Sequence, residues 1–183
     1  VLETFRLLSE MRLAMQAIRE VVPEIPIVAQ MAFDSDHHTG DGAGPERVGR
    51  LLLDWGADVI GASCVEGPPE LYEVVSKMVG FDVPIIALPI AGYPRRVDDR
   101  LGYLATPEFF QTYARRFFKV GVRIVGGCCG TNPEHIRSIS AAARMVGGGR
   151  SRLKVVPSTD SDLVTPAREE VPLSARSALA AKV

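Results

Sequence analysis

One unit recurs along the 183-residue chain, and it limits the available folds more than any other feature. A short β-branched or apolar run ends in small or polar residues, and a helix then opens on Pro followed by Glu. The runs are Ile25–Phe33, Ala57–Cys64, Pro84–Ala91 and Val122–Cys129. The helix starts are Gly44-Pro45-Glu46, Pro68-Pro69-Glu70, Thr106-Pro107-Glu108 and Asn132-Pro133-Glu134. Proline suits the first helical turn because the N–H it lacks would be unpaired there. Glutamate in that turn complements the positive end of the helix dipole. Thr106 and Asn132 are the expected N-caps. Gly56, Gly80 and Gly121 each follow an amphipathic segment, as left-handed C′ glycines do. Val48, Leu51, Leu52 and Trp55 fall at helical spacing, as do Phe110, Tyr113, Ala114 and Phe117, and both stripes read as core.

Strand–helix alternation with buried strands implies a parallel sheet of the α/β class. A strand end at Val1–Thr4 and a helix over Phe5–Val22 add one more unit. A closed eight-unit barrel needs about 200 or more residues, so the expected architecture is the C-terminal part of a TIM (β/α)8 barrel. Residues 1–147 form that part. Residues 148–183 are expected to be a linker, because Ser151–Val183 is polar and Pro-containing without a strand pattern. A short helix is expected at Leu173–Lys182.

Net charge is −1 without a basic stripe, so nucleic acid is not an expected partner. No apolar run reaches the roughly 18 residues of a membrane span. The opening residues lack a signal peptide's charged start and cleavage site and read as the interior of a domain. Three cysteines are too few for a disulfide framework and suit a reducing, cytoplasmic setting.

Those cysteines carry the chemistry. In a barrel of parallel strands the carboxyl ends form the active face. Cys64 ends one run, and Cys128 and Cys129 end another, so three thiols far apart in sequence are expected on one face. Adjacent strand residues point to opposite sides, so neighbouring cysteines share a target only where the strand is irregular. Gly126, Gly127 and Gly130 permit that. Three thiolates favour Zn²⁺ over hard cations, and three protein ligands leave a fourth, catalytic position open. A second reading stands beside this one: buried cysteines acting as small hydrophobes, with the glycines serving a tight turn or a phosphate site at a helix N-terminus. His37 and His38 read as exposed loop residues, and His135 as a surface or core residue that is not a ligand.

The segment "IVGGCCGTNPEHI" resembles the zinc-binding signature of the homocysteine S-methyltransferase family. Upstream, "VIGASCVEGP" resembles the family's segment bearing the first zinc cysteine. "LETF" resembles its Glu-Thr at the end of the fourth strand, and "PIVAQMAFD" its fifth strand. The likeness covers Val1 to about Met145. It implies Zn²⁺ on Cys64, Cys128 and Cys129, with Glu3 holding the amino group of homocysteine. It also implies methyl transfer to the homocysteine thiol from a methylfolate, methylcobalamin, betaine or S-methylmethionine. Ser63 departs from the family's usual Asn, and Ile90 from an Asn found in many members. The family's first three strands, which help bind homocysteine, would precede Val1. The tail "VPLSARSALAAKV" resembles the connector to the reductase half of bacterial bifunctional homocysteine S-methyltransferase/methylenetetrahydrofolate reductases. The resemblance thus implies an internal piece, inactive alone, that self-associates or needs an N-terminal half-barrel.

Overall fold

The computed structural model describes residues 1–97 and 100–147. The expected linker, with its short helix at Leu173–Lys182, lies outside the described residues. Each Pro-Glu site opens a helix. In chain order the elements are β1 (Leu2–Phe5), α1 (Leu8–Val21), β2 (Val28–Met31), α2 (Pro45–Asp54), β3 (Val59–Ser63), α3 (Pro68–Ser76) and β4 (Ile85–Leu88). Then come β5 (Arg95–Val97), β6 (Arg100–Gly102), α4 (Pro107–Val120), β7 (Ile124–Val125) and α5 (Pro133–Val146). The main sheet has the order β1-β2-β3-β4-β7, and every pairing in it is parallel. This is the α/β arrangement that the repeated unit demands.

One side of the sheet is covered by helices. Ala29, Met31, Ile60, Ala62, Ile85 and Ala87 share a buried cluster with Met11 and Met15 of α1, Val48 and Leu52 of α2, and Leu71 and Val74 of α3. Alternation along each strand therefore sends Gln30, Gly61 and Ser63 to the opposite, inner face. A smaller cluster joins Ala91 to Phe110 and Ala114 of α4 and Ile139 and Ala142 of α5. Among the described residues, no helix is long and apolar enough to cross a membrane.

The helix ends show what the sequence anticipates and where it misleads. Thr106 accepts a hydrogen bond from Phe109 N–H, and Asn132 accepts from Glu134 and His135 N–H. Gly56 (φ 86°) and Gly121 (φ 114°) take left-handed conformations directly after α2 and α4. Gly80 is also left-handed, at φ 113°, but it is not a C′ residue. Helix α3 stops at Ser76, and Lys77 N–H and Met78 N–H bond three residues back to Val74 and Val75. The helix tightens into turns before Gly80 is reached.

The strands are shorter than their apolar runs. Pro26 and Pro84 donate no ladder bond and stand outside β2 and β4. The run Val122–Cys129 contributes only Ile124–Val125 as strand, although Gly126 N–H still donates to Ala87 O and Cys128 N–H to Pro89 O beyond it. The antiparallel hairpin β5–β6 was not expected. It projects between β4 and α4, and its charged sequence offers no period-two apolar pattern.

Candidate metal centre

Parallel pairing through β4 brings the carboxyl ends of β3 and β7 to the same end of the sheet, so Cys64 meets Cys128 and Cys129 there. The three sulfurs form a near-equilateral triangle. Cys64 Sγ lies 3.7 Å from Cys128 Sγ and 3.9 Å from Cys129 Sγ, and Cys128 Sγ lies 3.9 Å from Cys129 Sγ. All three cysteines are free. Zinc–sulfur bonds of about 2.3 Å in a tetrahedron require sulfurs about 3.8 Å apart, so the triangle has the size of three corners of such a site. Cys129 is exposed and the other two are half-buried, which leaves the fourth corner open to a small molecule.

Local backbone makes this possible. Alternation after Ser63 would send Cys64 back to the helix side, but Cys64 sits at φ 58°. A left-handed non-glycine residue costs roughly 1–2 kcal/mol and here turns the thiol toward its partners. On the other arm, Cys128 N–H donates to Pro89 O, and Cys129 O accepts from Ala91 N–H, each at 2.9 Å. Thr131 closes the turn, its hydroxyl donating to Cys128 O at 2.7 Å. Gly130 lies at φ 78°, and a Cβ there would strike the Tyr103 ring.

Burial pushes the Cys64 thiol up to about 12, with the neighbouring thiols of Cys128 and Cys129 adding to the shift. Burial likewise raises Cys128. Three negative sulfurs at this spacing repel one another, so without a cation the protonated forms are favoured. A divalent cation among them reverses that preference. Soft donors, spacing and an open corner all fit a metal ion. Among the described residues, Cys64, Cys128 and Cys129 form one group able to hold a metal. His37 and His38 are not in it, and His38 Nδ1 instead contacts Asp36 O.

Glu3 is exposed and lines a cavity of about 620 Å³ with Thr4, Arg6 and Gly40. Its link to the sulfur cluster runs through Ser63. The fully buried Ser63 hydroxyl accepts a hydrogen bond from Thr4 N–H, the peptide that follows Glu3, at 3.2 Å. Thr4 is itself left-handed at φ 64°. Ser63 thus fastens the end of β1 to the end of β3 across β2, one residue from Cys64. In the sequence Ser63 is only a departure from the family's usual Asn, and this role has no local signal. Ser63→Ala removes the acceptor of the part-buried Thr4 N–H bond and should cost about 1 kcal/mol. Urea denaturation of the variant checks this, and an unchanged midpoint would mean that another group satisfies Thr4.

A family model for homocysteine S-methyltransferase matches residues 1–143. The chain is 32% identical over 108 residues to methionine synthase of Mycobacterium tuberculosis, covering 58% of this chain and 9% of that protein. It is 26% identical over 159 residues to betaine–homocysteine S-methyltransferase 1 of Danio rerio, covering 76% of this chain and 39% of that one. Among solved structures, the metallated form of the homocysteine methyltransferase MmuM from Escherichia coli superposes with a TM-score of 0.60 at 20% identity. That superposition covers 76% of this chain and 43% of MmuM, and it supports the TIM-barrel type of fold. The chain therefore spans less than half the length of each of these relatives. With a matching family model over most of its residues and a triad of thiols at the strand ends, the chain belongs to the homocysteine S-methyltransferase family.

Proposed function

We propose that the chain serves zinc-dependent transfer of a methyl group to the thiol of homocysteine, giving methionine. The observation that carries this reading is the triangle of sulfurs 3.7–3.9 Å apart with one open corner. Cys64, Cys128 and Cys129 would hold the ion. Zinc bound there would supply Lewis acidity, favouring the thiolate form of a substrate thiol whose free pKa is about 8.5. The chain's own residues do the rest. The Glu3 carboxylate takes the substrate ammonium and orients the molecule without moving a proton. Ser63, through Thr4, keeps that carboxylate at a fixed offset from the cysteines. The substrate sulfur forms its bond to the donor's methyl carbon, and the donor leaves with the electron pair of the bond that breaks.

Partners on this reading are homocysteine and a small-molecule methyl donor, in a reducing compartment such as the cytoplasm where the thiols persist. Residues 1–147 act as part of a barrel and 148–183 as a linker. Among the described residues the five-stranded sheet ends at β1 and β7, and full turnover is assigned to a completed barrel. The test is elemental analysis together with methionine formation, by the chain alone and with the first three strands of a family barrel added. One zinc per chain, and turnover that rises with the added strands, is the expected result. A chain that stays zinc-free in excess zinc would sink the proposal.

A further inference from the structure

We infer that His135 is a positioning residue that holds the Cys128–Cys129 turn in its metal-binding shape, an inference that rests on the metal reading above. His135 is 5% exposed although it stands in the first turn of α5. Both of its ring nitrogens are engaged. Nδ1 accepts from Asn132 N–H at 3.2 Å, completing a capping box in which Asn132 accepts from His135 N–H. Nδ1 also lies 2.8 Å from Asn132 Oδ1. Nε2 faces Ala105 O at 2.9 Å, and because a carbonyl oxygen can only accept, Nε2 carries the proton and donates to it. The ring packs edge-on against Phe110, with centroids 4.8 Å apart.

The Ala105 bond reaches the metal site. Ala105 N–H donates to Ala91 O at 3.3 Å, and Ala91 N–H donates to Cys129 O at 2.9 Å. From Cys129 the chain runs through Gly130 and Thr131 to Asn132, which His135 caps. The path is a closed ring: Cys129, Ala91, Ala105, His135, Asn132 and back to Cys129. Three separate segments are tied together just beyond the end of β7. A turn rich in glycine has many conformations open to it, and Cys128 and Cys129 keep one of them only if something outside the turn selects it. Pro89 and Ala91 hold the two cysteines from one side, and the imidazole secures the far end of the turn because it bonds in two directions at once. A phenylalanine would fill the same space and bond in neither.

The probe is cobalt(II), titrated into the metal-free chain, with the thiolate-to-cobalt absorption giving affinity and the ligand-field bands giving geometry. His135→Phe keeps the packing on Phe110 and drops both bonds. His135→Gln keeps an amide able to reach Ala105 O, and His135→Asn is too short to do so. We expect His135→Phe and His135→Asn to bind cobalt about tenfold more weakly than the native chain, with weakened ligand-field bands. His135→Gln should recover most of both signals. Each is measured where circular dichroism shows the variant folded, so a lower melting temperature alone does not register. If His135→Phe does not fold, the Gln–Asn pair still carries the comparison. Native affinity in the Phe and Asn variants, or Gln binding no tighter than Asn, overturns the inference while the metal reading stands. A native chain that binds no cobalt overturns both.

Discussion

Serine at Cys64, Cys128 or Cys129 is expected to reduce zinc affinity by roughly a hundredfold to a thousandfold, since zinc sites worth about 10–16 kcal/mol divide that among four ligands. The sulfurs are mutually 3.7–3.9 Å apart, so each stands at one corner of the triangle. A hydroxyl in place of a thiol is shorter, harder and much less acidic. The chain has three cysteines in all, which gives a clean readout. Added zinc should shield every thiol from a thiol reagent, and a chelator should restore reactivity. Binding must also displace the protons that burial holds on Cys64 and Cys128. Affinity should accordingly fall as pH is lowered. A serine variant that still carries one zinc per chain after dialysis would place the metal elsewhere.

Alanine at Gly61 should destabilise the fold by about 3 kcal/mol or more. Gly61 lies in β3, paired with Ile86 of β4, and its missing side chain would project from the inner face. A Cβ there would land on the Ile86 carbonyl oxygen, with Ile86 Cγ2 only 2.7 Å away. The obstacle is backbone, and β4 cannot retreat because it is held between β3 and β7. Gly102 is the control. A Cβ there has no atom of the described residues within 4 Å and no left-handed φ opposes it, so Gly102→Ala should stay within about 0.5 kcal/mol of the native chain. Equal urea midpoints for the two variants would show that β3 is not in the register described.

The α/β order was legible because its signals are local. Proline followed by glutamate announces α2, α3, α4 and α5, with a capping residue added at α4 and α5, and an apolar run before each announces a strand. The meeting of Cys64 with Cys128 and Cys129 was legible one level up, from the rule that parallel strands bring their carboxyl ends to one face. What could not be read depends on contacts between distant segments. Cys64 is left-handed without being glycine, and a sequence carries no mark for strain that tertiary structure imposes. Ser63 differs from the usual family residue, yet its bond to Thr4 spans 59 positions. The hairpin at Arg95–Val97 and Arg100–Gly102 has charged residues where a strand pattern would show apolar ones. His135 looked inert because its partner, Ala105, lies on the far side of a helix and a strand.

The separation of Cys64 from Cys128 along the chain, 64 positions, has a bearing on how the protein endures. An ion gripping both is a reversible cross-link across that length of polypeptide. In the chain-entropy model, closing a loop of this size removes freedom from the unfolded ensemble worth about 4 kcal/mol. The benefit exists only while the ion is bound, and it grows with the logarithm of free metal concentration. On the zinc reading proposed above, resistance to proteases should therefore rise with free zinc concentration, the metal-free chain opening more often and being cut sooner than the loaded one.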